Sequence, residues 1–305
     1  MGDRTLIEWC DATFNPWEGC QKLGPGCDNC YAETRNARYG GGQAVNWGPG
    51  APRRRTSAAN WKRPRAWARN AAAFHAAHGR RQRVFCASLA DVFDNAVAPG
   101  WRADLFQLIE DTPQLDWLLL TKRIGNVQPM MLDVARHLFW LDHLDVPHLP
   151  ANVWLGASVV SQAEADRDIP KLLAAPARRR FLSMEPLLGP VDLQAACRSF
   201  GYHLGEVLDW VIVGGESGKH ARPMHPDWPT DIRNQCRAAG VPFLFKQWGE
   251  WVPMMGHLEG LPVTGPKFTH ADGTIMGRVG KAVAGRHLDG VIHNDFPPSY
   301  PLEAC

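Results

Sequence analysis

Between Gly41 and Ala90 the chain has no aspartate and no glutamate, although over its whole length acids and bases nearly balance, at a net charge of +2. That stretch instead carries Arg53, Arg54, Arg55, Lys62, Arg63, Arg65, Arg69, Arg80, Arg81 and Arg83, interleaved with Trp47, Trp61, Trp67 and Phe74. Guanidinium groups pair with phosphates and indoles stack on bases. Arg53, Arg54, Arg55, Trp61, Lys62, Arg63, Arg65 and Trp67 are therefore candidate contacts to nucleic acid. The same stretch also reads as a solvated basic helix and loop whose tryptophans pack on the main body. Long apolar runs are missing too, and none approaches the roughly 20 residues a membrane span needs. The opening, MGDRTLIEWCDATF, is polar and unlike a secretory leader. These absences predict a cytoplasmic protein without membrane contact. The twelve histidines include no HxxxH or HxH spacing, which argues against a mononuclear histidine metal site.

What is present is globular in composition, 45% hydrophobic and 21% charged. The chain is too long and too apolar to need disulfides, so its clustered cysteines point to metal. Near-continuous Val/Leu/Ile/Phe runs predict strands at 83–89, 116–122, 152–158, 179–185, 209–215 and 242–248, with an earlier one in CDATFNPW. Helical spacing fills the gaps at 99–112, 125–141, 161–175 and 226–240. The last opens with Asp-Pro and closes with Gly.

Strict alternation of this kind means a parallel α/β sheet, and a (β/α) barrel, partial or complete, is preferred to a doubly wound one. The reason is that polar residues recur at the C-terminal end of each strand. Ser88 and Asp91 follow the second, Thr121, Lys122 and Arg123 the third, Ser158 the fourth and Glu185 the fifth. Glu216 and Ser217 follow the sixth, Lys246 and Gln247 the seventh. In a barrel those ends converge on one mouth, where chemistry sits. A single domain over 1–305 is expected, with a basic insertion at 40–82 after the first helix and an irregular tail at 249–305.

Cys20, Cys27 and Cys30 form a C-x6-C-x2-C triad broken by Gly-Pro-Gly, in the loop after the first strand. A structural zinc wants four ligands, and the nearest candidates for a fourth are Cys10, His220 and His225, none at a zinc-knuckle spacing. Three thiolates also suit a [4Fe–4S] cluster with one open iron. Both metals stay open on spacing alone. Cys86, Cys197, Cys236 and Cys305 are scattered and read as small apolar residues.

Several segments resemble the phage Gp37/Gp68 family, also called three-Cys-motif proteins. They include WCDATFNPWEGCQKLGPGCDNCYAE, VFCASLADVFD, LLLTKR, RFLSMEPLLGPVDL, DWVIVGGESGKHARPM and GVPFLFKQWGEW. More distantly, the triad and its place resemble radical S-adenosylmethionine enzymes, which use a partial barrel with three cysteines after the first strand. Their usual spacing is C-x3-C-x2-C with an aromatic before the last cysteine. Here the first gap has six residues, and Asn29 precedes Cys30. Their Gly-Gly-Glu segment follows the second strand, whereas Gly214, Gly215 and Glu216 follow the sixth.

VGGESGKHA is no phosphate loop, because Val213 and His220 stand where a Walker motif needs Gly and Ser/Thr. A glycine-rich strand end that lets a ligand approach remains. Glu185, Glu216 and Lys246 are candidate catalytic groups, with internal ion pairing as the plainer reading. Asp91, Lys122, Arg123, Ser158, Gly214, Gly215, Glu216 and Gln247 are candidate cofactor contacts, and Trp248 could stack on a base. The resemblance implies an enzyme that holds a [4Fe–4S] cluster and S-adenosylmethionine, generates a 5′-deoxyadenosyl radical, and needs an electron donor or partner enzyme. Nucleic acid or a nucleotide is the expected substrate. The alternatives are a zinc-stapled nucleic-acid binder without catalysis and a metal-independent hydrolase using Glu185 and Glu216.

Overall fold

The computed structural model describes residues 5–254 and 265–299. One sheet holds seven parallel strands in chain order: β1 Ala12–Thr13, β2 Gln82–Cys86, β3 Leu115–Thr121, β4 Val153–Ser158, β5 Arg179–Met184, β6 Trp210–Gly214 and β7 Phe243–Gln247. Helices α1 Tyr31–Tyr39, α4 Pro99–Glu110, α5 Val127–Leu138, α6 Gln162–Ala174 and α9 Asp227–Ala239 return the chain between strands. Two short helices, α7 Leu193–Arg198 and α8 Leu204–Val207, add to the fifth crossover.

Side chains alternate across each strand, so two apolar layers form on opposite faces of the sheet. Val84, Cys86, Trp117, Leu119, Leu155, Leu182 and Val211 meet the helices. Phe85, Leu118, Trp154, Phe181, Trp210, Ile212 and Leu244 face the interior with Trp9 and Cys10. Both faces are buried, which is why the strands read as unbroken apolar runs. The Trp9 ring lies 4.4 Å from Phe85 on β2 and 6.4 Å from Trp210 on β6. A single side chain reaches both strands only if the sheet curls. Within the sheet β1 pairs only with β2 and β7 only with β6, so the barrel is partial.

The free edge of β7 does not stay bare. Phe245 N–H donates to His293 O (3.1 Å) and Asp295 N–H to Phe243 O (3.2 Å), so the tail pairs with that edge and blocks it against another chain. The tail also plugs the bottom of the barrel. Phe296 packs at a tilt 5.0 Å from Trp210 and under the Arg83 guanidinium at 4.1 Å. Nor is the tail irregular throughout, as its Gly/Pro content suggests. β8 Trp251–Pro253, β9 Lys267–Thr269 and β10 Ile275–Arg278 form an antiparallel sheet, followed by α10 Lys281–Ala284. Cys305 lies outside the described residues. Among the described residues no helix is long and apolar enough to cross a membrane.

The insertion departs most from the sequence expectation. It carries two helices, α2 Ala58–Arg69 and α3 Ala71–His78, and its Arg54–Arg55 pairs antiparallel with Trp17–Glu18 just ahead of Cys20. The acids missing from this stretch come from elsewhere. Arg53 is buried with Nε 2.7 Å from Asp94; Arg54 pairs with Glu18, Arg55 with Asp104 at 2.6 Å and Arg65 with Asp111 at 2.6 Å. Trp61 packs edge-on against Phe14 and beneath Arg55, and Arg63 lies over the buried Trp67. Of the eight expected nucleic-acid contacts, Arg53 and Trp67 are thus internal and Trp61 is half-buried. Arg54, Arg55 and Arg65 are bound to the protein's own carboxylates. Lys62 remains exposed.

Candidate active site

The C-terminal strand ends meet around a cavity of about 490 Å3, within the size range of small-molecule sites. Cys20, Cys27 and Cys30 line it together with Asp91, Lys122, Arg123, Ser158, Glu185, Gly215, Glu216, Lys246 and Gln247. Residues scattered over more than two hundred positions thus converge on one space. Gly214 is not among the lining residues, and Trp248 is buried in the core with its Nε1–H on His287 O (2.7 Å), so it offers no stacking face. Trp47 and Tyr31 line the cavity instead.

The glycines here serve the chain's own packing. A Cβ on Gly215 would come within 1.9 Å of Trp248 O, and one on Gly26 within 2.7 Å of Val160 Cγ1. The close approach expected of a ligand at Gly215 is made by the next strand's backbone. At Gly26 the missing side chain lets the Gly-Pro-Gly turn settle against the end of β4.

Two arginines pin the cysteine loop across the mouth. Arg123, after β3, donates from Nη1 to Cys20 Sγ (3.4 Å) and to Asp91 Oδ2 (3.1 Å), and from Nη2 to Gln21 O (3.0 Å). Asp91 in turn accepts from Thr121 Oγ1 (2.8 Å) and Lys122 N–H (3.1 Å). On the far side Arg222 donates from Nη2 to Pro25 O (2.7 Å) and Glu216 Oε1 (2.6 Å), and from Nη1 to Asp28 Oδ2 (3.1 Å). Asn29 Nδ2 bridges Glu216 Oε2 and His220 O, each at 2.9 Å. The insertion closes the third side, where Gly48 N–H donates to Cys20 O (2.9 Å). Arg222 and Asn29 were not picked out from the sequence. Asn29 did leave a trace, standing directly before Cys30 where an aromatic was expected.

The carboxylates fall into pairs rather than one acid/base couple. Glu185 Oε1 sits 2.8 Å from Lys246 Nζ, and Glu216 is clasped by Arg222. Burial works against charge on Lys246, but Glu185 outweighs it, and the ammonium pKa stands above its ordinary value. Burial alone would likewise raise the Glu216 carboxyl; the hydrogen bonds from Arg222 and Asn29 prevail and hold it below the ordinary value. Two acceptors on this side have no hydrogen-bond partner, the buried Oε1 of Gln247 and Oε2 of Glu8, and both residues line the cavity.

Arg222→Ala is expected to destabilise the protein by about 2 kcal/mol at neutral pH, because it strands a buried carboxylate whose partner is itself partly exposed. Since the folded Glu216 pKa is depressed, that contribution is complete above the unfolded carboxylate pKa of about 4.3 and fades as pH falls through the folded value. Thermal unfolding of both proteins should show a gap at pH 7 that closes towards pH 3. A gap of equal size at both pH values would mean the arginine acts through packing instead.

Burial pushes the Cys20 thiol up to about 11 against the pull of Arg123. Cys30 is also raised by burial, countered by the first amides of α1, which it directly precedes. Cys10 and His225, considered as fourth zinc ligands, are elsewhere. Cys10 packs among the barrel-interior aromatics. His225 has both nitrogens engaged: Nε2 lies 2.9 Å from Asp272 Oδ2, and Nδ1 accepts from Asp227 N–H (3.1 Å).

No curated protein matches this chain. A solved spore photoproduct lyase variant with bound AdoMet and dinucleoside spore photoproduct is similar at 11% identity and a TM-score of 0.39, covering 87% of this chain and 67% of that one. A likeness so slight transfers no activity. The sequence match is of a different order, and it names the DUF5131 family without bearing on the resemblance to the phage Gp37/Gp68 proteins. With residues 4–297 matched, nearly the whole of the barrel and its tail, the chain belongs to this family, described as a protein of unknown function.

Proposed function

We propose that this protein is an iron–sulfur enzyme of the radical S-adenosylmethionine type. The observation that carries the reading is the loop after β1, whose three thiols open into the same cavity as the polar residues from the strand ends. The donor set fits the group. All three ligands are soft sulfur, the donor type that iron–sulfur clusters take. Cys20, Cys27 and Cys30 would hold a [4Fe–4S] cluster. When bound, such a cluster supplies one electron for cleaving a carbon–sulfur bond of the sulfonium cofactor, after reduction by an external one-electron donor.

The chain's own part is to bind, orient and keep dry. The free acceptors on Gln247 and Glu8 suit a ligand that presents N–H or O–H donors. Lys122, beside Gly26, brings an ammonium suited to a carboxylate or phosphate. The Glu185–Lys246 pair places both signs of charge on one wall, and Trp47 and Tyr31 provide apolar cover. Arg54 and Arg65 keep about half or more of their side-chain surface exposed despite their ion pairs, and Lys62 is exposed, so a nucleotide or nucleic-acid substrate would still meet a basic surface there.

The test is anaerobic purification with iron, sulfide and zinc analysis, then EPR of the dithionite-reduced protein with and without S-adenosylmethionine. The expected result is about four irons and four sulfides per chain, with a signal that changes when the cofactor is added. Stoichiometric zinc without iron or sulfide would overturn the proposal.

A further inference from the structure

We infer that Arg123 is the positioning residue that sets the reduction potential of the centre held by the cysteines, through its hydrogen bond to the Cys20 sulfur; this rests on the iron–sulfur reading above. The Arg123 side chain is 6% exposed, so its charge acts through protein rather than water. Its Nη1 stands 3.4 Å from Cys20 Sγ, within hydrogen-bond reach of sulfur. Its other hydrogen bonds, to Gln21 O at 3.0 Å and Asp91 Oδ2 at 3.1 Å, fix the guanidinium in place, with Asp94 Oδ1 an ion-pair contact 3.9 Å from Nε. Its own backbone N–H is held by Thr121 Oγ1 at 2.8 Å. An ammonium could not serve these partners at once, whereas the planar fork of arginine can.

Reduction adds negative charge to an iron–sulfur centre, and much of it falls on the sulfurs. A buried cation with an N–H on a ligand sulfur stabilises the reduced form more than the oxidised one and raises the potential. Asp91 and Asp94 oppose this, since both are felt at Cys20. The potential at that ligand is a balance between two carboxylates and one guanidinium, and the guanidinium is the group that touches the sulfur. Because Arg53 also pairs with Asp94 at 2.7 Å, the basic insertion feeds into the same balance.

The experiment compares anaerobically reconstituted wild type, Arg123→Gln and Arg123→Lys by iron and sulfide content and by EPR-monitored redox titration, without substrate. Arg123→Gln is expected to keep its iron and to lose tenfold or more in the equilibrium constant for one-electron reduction, a potential at least 59 mV more negative. Arg123→Lys should fall between. An unchanged potential in fully loaded Arg123→Gln overturns the role of Arg123 and leaves the iron–sulfur reading intact. If Arg123→Gln fails to load, the lysine variant decides, and a wild-type potential there overturns the role equally. Wild type that takes up neither iron nor sulfide overturns the reading and this inference with it.

Discussion

Serine in place of Cys27 is expected to strip the reconstituted protein of iron while leaving it folded. Cys27 is buried at the end of the Pro25–Cys27 turn and faces the cavity. Iron displaces the proton of a thiol readily, but a serine hydroxyl stays protonated and is a poor ligand. Loss of an outer-shell partner already costs about 10–100-fold in metal affinity, so losing one of three direct ligands should cost at least about 100-fold. The fold should survive, because the loop does not depend on metal for its position. Arg123, Arg222 and Asn29 hold it to two strand ends, and the insertion holds Cys20 O. Circular dichroism and thermal unfolding should therefore move little while iron content collapses. Cys236→Ala is the matching control. That residue is buried on α9, away from the cavity, and its loss should cost stability but no iron. Full iron loading in the Cys27 variant would mean the triad is not the ligand set.

The barrel was legible because each strand is apolar on both faces. Runs such as DWLLLTK at 116–122 fall within one or two residues of the observed Leu115–Thr121. The ring of strand-end residues followed from the same alternation, since parallel strands put all their C-terminal ends on one side. The partners of those residues were not legible. Asn29 meets Glu216 and Arg222 meets Pro25 across nearly two hundred residues, and no local pattern encodes such a pairing. The helix at 125–141 was drawn too long at both ends. Ile124–Asn126 forms a tighter turn, and Phe139, with φ of 55°, ends α5 after Leu138. The small tail sheet was missed because its strands are only three or four residues long and lie among Gly and Pro.

Part of the basic insertion's charge is structural, and Arg53→Ala tests how much that buried part contributes. Its partner Asp94 has a side chain only 2% exposed, and that of Arg53 is 1% exposed. Nη1 also donates to Ala51 O (2.8 Å) and Asn46 O (3.3 Å). Removing Arg53 leaves the buried Asp94 carboxylate with only Arg123, 3.9 Å away and already shared with Asp91, at a cost of about 3–5 kcal/mol. For a chain of this size each kcal/mol lowers Tm by roughly 2 °C, so the variant should melt about 6–10 °C lower. Arg53→Met with Asp94→Leu should recover much of the loss, since replacing both ions with apolar groups leaves neither stranded. Lys62→Ala, at an exposed position on α2, should leave Tm within about 1 °C. If Arg53→Ala melts like wild type, the buried pair contributes little to stability. If it melts as expected, the Arg53–Asp94 pair is a structural one, alongside the pairs that acids at 11, 18, 104 and 111 make with other arginines of residues 41–90.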